Sequence, residues 1–596
     1  MKLADLVRAY DQLEGTSKRT DRRRVLGELF APLAPKLIVP VVYLSQGILR
    51  PEFEGVELGV GASLARRAVV LATGAPDSRV AERLRVRGDL GSVVAELLEA
   101  RGTPVADSAL DLEGVYATLR EIARTSGEGS QEQKVTSIVG LLGRASPSEA
   151  KYIVRFVLGE LRLGVRDQTI LDGLSSAFAD SDKAARARIE EAYNLSSDLG
   201  LVAQALAARG PAGLAEIHLE VGRPIRPMLA EREPDLASIL RRMGGTAALE
   251  YKYDGLRVQA HVARDGRVRL FSRRLEEIGA QFPDVARALP SALRRHPAIV
   301  EGECVPIDPS TGEIRPFQEV SRRRGRKHDL DKVQAEIPVA LFLFDVLLDG
   351  SEGVYERPFP ERRRTLSELV RPNDTIALAE QRTVESVEAA TAFFEEAVAA
   401  GAEGVMAKSL SPESRYRAGA RGFWWIKYKR EYTAALGDSI DGVIVGGFHG
   451  RGRRAGRFGA FLLAVYDPHR ERFESFTKVG TGFDDASLEA LSKRMRALAV
   501  PHPPPEVETG LVPDAWFRPE VVLEVRGAEL TVSPVHRAAM NRVRAGGGLA
   551  LRFPRFTGRV RDDKGSTDAT TSDELLEMYR TQVRRLPPES GAEPAS

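Results

Sequence analysis

Cysteine is nearly absent: of 596 residues, only Cys304 carries a thiol. A single thiol excludes intrachain disulfides and any zinc site built from several cysteines. No histidine–cysteine cluster suits zinc either. Long apolar runs are also missing, none approaching the roughly 20 residues of a bilayer-crossing helix. The first residues, Met1-Lys2-Leu3-Ala4-Asp5-Leu6, carry acid early and lack a secretory apolar core. A cytoplasmic protein without membrane association is expected. An excess of one charge is absent too: 86 Lys and Arg stand against 84 Asp and Glu, a net charge of +2. Any nucleic-acid surface must then be a local basic patch. Finally, no Gly-Lys-Ser or Gly-Lys-Thr occurs, which excludes a Walker-type phosphate loop.

The length suggests about three to four domains, and an apolar fraction of 43% is that of a folded chain. Residues 1 to about 215 read as helices. Val135, Ile138, Val139 and Leu142 share one helical face, and a longer helix is expected over Ser148–Leu163 behind Pro147. Gly222–Pro227 reads as a proline-punctuated linker. The texture then changes. Leu256–Val262 and Arg267–Phe271 flank the Arg264-Asp265-Gly266 turn as a hairpin, Ala298–Ile307 and Val339–Leu348 read as buried strands, and a helix is expected near 384–400. After Lys429, Gly442–Phe448, Phe458–Tyr466 and segments near 520–533 read as short strands with glycine-rich turns, the texture of a small β-barrel. From about Leu586 the composition is that of a disordered tail.

The segment Glu250-Tyr251-Lys252-Tyr253-Asp254-Gly255-Leu256-Arg257 places a lysine, a carboxylate, a glycine and an arginine just after a strand-like run. Such a lysine can attack a nucleotide phosphate once it is a neutral amine, which desolvation and nearby cations favour. Lys427 and Lys429, on one face of a strand by the period of two, are such cations and can hold phosphate charge. Read singly, each of these residues is as well explained as a solvated surface group. Their order along the chain is what gives them weight.

Taken in order, these segments resemble the six motifs of ATP-dependent DNA ligases, which share a nucleotidyltransferase fold with RNA ligases and mRNA capping enzymes. The resemblance implies that Lys252 is adenylylated through its amine, with Glu250 reading the adenine amino group and Arg257 touching the nucleotide. Phe271-Ser272-Arg273 implies Arg273 as a ribose or phosphate ligand, Val300-Glu301-Gly302-Glu303 implies Glu303, and Leu343-Phe344-Asp345-Val346 implies Phe344 as the ring stacked on adenine. Glu403-Gly404-Val405-Met406-Ala407-Lys408 implies Glu403 near the metal, and Arg421 with Trp425–Lys429 implies Lys427 and Lys429 on phosphates. Leu551–Lys564 resembles the sixth motif, implying Arg561 and Lys564 on the pyrophosphate, although Thr557-Gly558 adds a residue to the family pattern. In the helical third, Leu161–Val165 resembles the DNA-binding domain of eukaryotic, archaeal and some bacterial ligases, with Gly164 for close approach and Arg162 and Arg166 as phosphate anchors. The loop Gly450–Gly456 and the basic run Arg322–Lys327 are further phosphate-facing candidates.

The implied fold is multidomain: an all-α DNA-binding domain (1–220), an α+β nucleotidyltransferase (adenylation) domain (225–430), a β-barrel OB-fold domain (431–585) and a disordered tail (586–596). The implied cofactors are ATP and Mg²⁺, the latter at Glu303 and Glu403, whose hard oxygens suit it. The implied partner is nicked double-stranded DNA, handled by a monomer in the cytoplasm, at the nucleoid if the source is bacterial. No Gln-x-x-Leu-x-x-Phe-Phe peptide is present, so recruitment by a sliding clamp stays open. An RNA ligase or capping enzyme would lack the helical third, and an NAD-dependent ligase would need cysteines this chain does not have. A non-catalytic DNA clamp would have altered motif residues.

Overall fold

The computed structural model describes residues 1–102, 110–308, 314–315, 319–320, 323, 334, 336–429, 439–450, 454, 456–527, 529–552 and 554–584. The expected tail, most of the Gly450–Gly456 loop and all but Arg323 of the basic run fall outside these residues. The chain divides into two compact units: Met1–Asp77 with Val94–Lys429, and Ser78–Val93 with Arg430–Ser596. Among the described residues, no helix is long and apolar enough to cross a membrane.

Twelve α-helices occupy Leu3–Arg209 among the described residues. The helix expected over Ser148–Leu163 is there but runs only from Pro147 to Leu158. Ser146 and Glu149 form a capping box at its start, and Gly159, at φ 67°, ends it in the left-handed region that an L side chain resists. The apolar residues Leu161 and Leu163 that extended the periodic pattern are buried outside any helix.

The middle of the chain builds two sheets. The strands are β1 (Leu229–Arg232), β2 (Ala247–Lys252), β3 (Leu256–Val262), β4 (Val268–Ser272), β5 (Ala298–Pro306), β6 (Val339–Asp349), β7 (Glu352–Gly353), β8 (Ile376–Leu378), β9 (Gln381–Val384), β10 (Gly404–Ser409) and β11 (Arg421–Lys429), and β3 to β6 lie within one residue of the four strands expected here at each end. One sheet has the order β1-β11-β10-β2-β9, the other β4-β3-β5-β6-β7 with β8 on β6. In the second sheet the alternation is chemically divided. Leu256, Val258, Ala260 and Val262 of β3, with Ala298, Val300 and Cys304 of β5, enter one core beneath helices Pro283–Ala292 and Phe359–Leu369. Their alternates Arg257, Gln259 and His261, with Glu301 and Glu303, turn the opposite way.

The linker expected at Gly222–Pro227 is not a loose tether. Ile225 is buried, its N–H donates to Gln259 Oε1 at 2.8 Å, and Gln259 Nε2 donates back to its carbonyl at 3.1 Å. Gly222 N–H donates to His261 Nδ1 at 3.0 Å, leaving Nε2 to donate to Gln259 Oε1 at 2.9 Å; burial holds this imidazole neutral, its pKa pushed down to about 3.

The C-terminal unit is a β domain. Strands β12 (Ile440–His449), β13 (Phe458–Asp467) and β14 (Arg472–Val479) form an antiparallel meander within an eight-stranded sheet, joined by β15 (Ala499–Val500), β16 (Val507–Glu508), β17 (Ala515–Phe517), β18 (Val522–Arg526) and β21 (Arg555–Val560). β19 (Glu529–Ser533) and β20 (Gly548–Arg552) pair separately. Among the described residues, no pairing joins the sheet's outer strands to close a barrel. The pairing is irregular around Thr557-Gly558: Phe556 and Val560, four residues apart on β21, face Val525 and Leu523, two apart on β18, with Gly558 at φ 97°.

One ion pair ties the middle domain's layers together. Arg362 and Asp345 are both fully buried, with contacts of 2.8 and 3.0 Å, and Nη1 donates to the Arg357 and Ser414 carbonyls. Burial works to raise the Asp345 pKa, but Arg362 overrides it and lowers the pKa. Arg362→Ala leaves a buried carboxylate unpaired and should destabilise this domain by about 3–5 kcal/mol. Urea unfolding read by Trp424 and Trp425 in a Trp516→Phe background measures it, and a loss below about 1 kcal/mol, the scale of an exposed pair, would refute it.

Candidate active site

Alternation along β2 puts Glu250 and Lys252 on one face, and sheet register supplies their neighbours. Lys252 lies opposite Gly404 on β10, which lies opposite Lys429 on β11; Glu250 lies opposite Met406, itself opposite Lys427; Ala248 lies opposite Lys408, itself opposite Trp425. Gly404 sits at φ 149°, and a Cβ there would meet the Tyr428 carbonyl at 2.2 Å, so the row between the two lysines has no central side chain. The preceding residue uses that space. Glu403 donates its N–H to the Lys252 carbonyl at 2.9 Å, and its carboxylate is hydrogen-bonded to both Lys252 and Lys429.

The second sheet faces this row with Arg257, Glu303 and Phe344. Between the sheets lies a cavity of about 400 Å³, lined by Lys252, Glu250, Arg257, Arg273, Glu303, Phe344, Glu403, Arg421, Lys427 and Lys429. Every candidate from the first five ligase-like motifs therefore reaches one space. Arg257 donates to Glu301 at 2.8 Å and to the Met228 carbonyl at 2.8 Å, and its guanidinium lies 5.4 Å from the Phe344 ring centroid. Tyr416 O–H donates to Glu301 at 2.8 Å and accepts from Met228 N–H at 2.9 Å.

The electrostatics follow from crowding. Burial and the nearby charges of Lys252, Lys429, Arg421 and Arg273 push the Lys427 pKa down. Burial works to raise the Glu403 pKa, but its two lysine partners bring it below the usual carboxylate value. Glu303 goes the other way: burial pushes it up to about 7 against the pull of Lys252 and Arg257, with Glu403 adding repulsion. Among the described residues no three His, Cys, Asp or Glu side chains converge as a metal cage. Two carboxylates close enough for their charges to interact, beside a cation-lined space, fit Mg²⁺, which takes one or two carboxylates, waters and substrate phosphate.

The remaining candidates lie outside the cavity lining. Arg561 and Lys564 belong to the C-terminal unit and both contact Asp441 Oδ2, at 2.7 and 2.8 Å. Arg162, at φ 59°, contacts Glu160 at 2.8 Å, and Arg166 is exposed at the start of helix Asp167–Phe178. Arg22 donates to the Gly164 carbonyl at 3.1 Å, adding a guanidinium beside that glycine. Sequence reasoning missed Lys408, Glu301 and Arg274. Arg274 and Lys408 line the cavity, and Glu301 orients Arg257. Lys408 was detectable, being two residues beyond Met406 on the cavity face.

Two facing sheets that enclose a lysine, a carboxylate pair and a ring of cations are the arrangement of the nucleotidyltransferase class. Comparison with known proteins narrows the class. Residues 227–429 match the model of the ATP dependent DNA ligase domain, residues 2–175 that of the DNA ligase N terminus, and residues 454–564 that of the ATP dependent DNA ligase C terminal region. The chain is 48% identical to DNA ligase 2 of Thermofilum pendens, covering 96% of each. It is 45% identical to the probable DNA ligase of Aquifex aeolicus, covering 98% of this chain and 99% of that one. A solved structure named Pmar-Lig_Pre shares the fold at 17% identity and a TM-score of 0.55, covering 94% and 99%. The chain belongs to the ATP-dependent DNA ligase family, whose members use ATP and Mg²⁺ to seal nicks through a lysyl-AMP intermediate.

The Glu303 shift has a measurable sign. A carboxyl whose folded pKa is raised from 4.5 to about 7 adds stability that is complete below about 4.5 and lost as pH rises through about 7. Glu303→Gln should flatten that part of the stability–pH curve when unfolding is followed without divalent cation. An unchanged slope between wild type and variant would contradict it.

Proposed function

We propose that Lys252 is the nucleophile of ATP-dependent nick sealing and that the cavity around it binds ATP. The observation that carries this is the convergence of ten motif residues from six separated segments onto one 400 Å³ space. Lys252 attacks the α-phosphate of ATP, forming a phosphorus–nitrogen bond as pyrophosphate leaves. The 5′-phosphate at a nick then takes the AMP from the lysine, and the adjacent 3′-hydroxyl displaces AMP to close the strand. Phe344 stacks on the adenine, Glu250 accepts from its amino group, and Arg257 and Arg273 hold ribose or phosphate. Lys427, Lys429 and Arg421 balance phosphate charge during displacement, the main contribution a protein makes to phosphoryl transfer.

In the free protein the Lys252 amine donates to Glu403. That bond uses an N–H and leaves the lone pair of a neutral amine free, so Glu403 orients the nitrogen for attack. Mg²⁺ held by Glu403 and Glu303 would neutralise phosphate charge. Arg561 and Lys564 act on the leaving pyrophosphate, exchanging their present partner Asp441 for it.

The reading extends to the other domains, with boundaries at 1–220, 225–430 and 431–585. The helical domain grips duplex DNA through phosphate contacts including Arg162 and Arg166, and the C-terminal β domain is an OB-fold, supported by its β12–β14 meander. The ten motif residues that line the cavity come from one chain, which favours action as a monomer, in the cytoplasm and on nucleoid DNA if the source is bacterial.

Incubation with Mg²⁺ and α-labelled ATP, a denaturing gel, and then addition of nicked duplex test the reading. Wild type should take up label and discharge it into sealed product. Lys252→Ala should take up none while binding nicked DNA normally, and label retained by that variant would remove Lys252 from the role. Arg561→Ala should slow labelling by ATP on the order of tenfold or more, as loss of a charge-assisted contact in the transition state does. It should spare sealing of a pre-adenylylated nick; equal slowing of both would place Arg561 outside the first step.

A further inference from the structure

Lys408 is the most deeply buried ammonium of the cavity, 1% exposed, and none of the roles above uses it. Its Nζ contacts Glu250 Oε2 at 2.7 Å and donates to the Phe344 carbonyl at 2.9 Å. Aromatic faces enclose the rest of it, with the centroids of Trp425, Phe359 and Phe344 at 4.6, 4.7 and 4.9 Å. A primary ammonium has three donors and no acceptor, and here two go to the two elements assigned to the base. Glu250 keeps further capacity: Oε1 accepts from Gln381 at 3.1 Å and faces Arg363 at 3.6 Å, and two carboxylate oxygens offer about four lone-pair sites.

We propose that Lys408 is a positioning residue for recognition of a 6-aminopurine: one ammonium ties the Glu250 carboxylate to the Phe344 main chain, fixing the distance between the amino-group acceptor and the stacking ring. Glu250 is on β2 and Phe344 on β6, in different sheets, and no other described hydrogen bond links the two residues. Without the tie, each is still present but their spacing is no longer set by a single group. The inference rests on the assignment of the cavity to ATP.

The test uses adduct formation followed by intact mass, with ATP and with purine riboside 5′-triphosphate, which lacks the 6-amino group. Wild type should show an apparent KM about tenfold or more lower for ATP, the scale of one hydrogen bond to a charged group. Lys408→Met should raise the KM for ATP about tenfold, toward that for the analogue, while the rate at saturating ATP stays close to wild type. Lys408→Gln, which keeps a neutral donor, should fall between them and replaces the Met variant if that one does not fold. Equal use of the two triphosphates by wild type overturns the proposal without any variant. So does a variant that loses activity with both in parallel, the behaviour of an ordinary core contact. Wild type forming no adduct with either triphosphate would instead remove the ATP assignment itself, a result distinct from loss of discrimination.

Discussion

Like charges repel, and this cavity gathers Lys252, Lys427, Lys429, Arg421 and Arg273 around one space. The carboxylate of Glu403, shared between Lys252 and Lys429, makes that arrangement tolerable in the absence of nucleotide. Its position depends on a glycine without a side chain at 404, on three antiparallel strands in register and on a main-chain hydrogen bond back to Lys252. A triphosphate brings negative charge to the same place, so the resting contacts of the lysines and the contacts proposed for the nucleotide are alternatives. The affinity of the site for anions and the folding stability of the empty site therefore draw on the same charges.

Much of this was legible in the sequence because strands carry their faces in alternation. Leu256–Val262 appears as β3 with the expected ends, since a hairpin turn and a buried apolar face mark both of its limits. The same alternation placed Lys427 and Lys429 together. Apolar spacing continues past Gly159 and so extends the expected helix to Leu163, whereas the backbone at Gly159 turns left-handed and ends it at Leu158. Leu161 and Leu163 are buried by tertiary packing, which a periodic pattern does not distinguish from helical burial.

What was less legible is the set of groups that act through others. Glu301 and Glu303 are two residues apart on one face of β5, yet one pairs with Arg257 and Tyr416 while the other lines the cavity with a raised pKa. Their difference comes from distant neighbours, Arg257 of the same sheet and Tyr416 before β11 for Glu301, Lys252 and Glu403 on the side of the other sheet for Glu303, which the local sequence does not contain. Lys408 is a similar case: a lysine in a strand reads as a solvated edge until Glu250 and three aromatic rings are seen to surround it.

The segment before β1 has a consequence for how this chain tolerates change. Ile225 is clasped by Gln259, the Met228 carbonyl is held by Arg257, and Gln259 Nε2 also donates to Glu301 at 3.2 Å. A junction between domains is ordinarily where lengths drift and where engineers insert tags or graft modules. Here one added residue would shift the clasped carbonyls out of step with Gln259 and with Arg257, which lines the cavity between the two sheets. The spacing from Gly222 to Met228 is thus as constrained as a catalytic motif, and fusions or permutations that spare the site should be cut elsewhere.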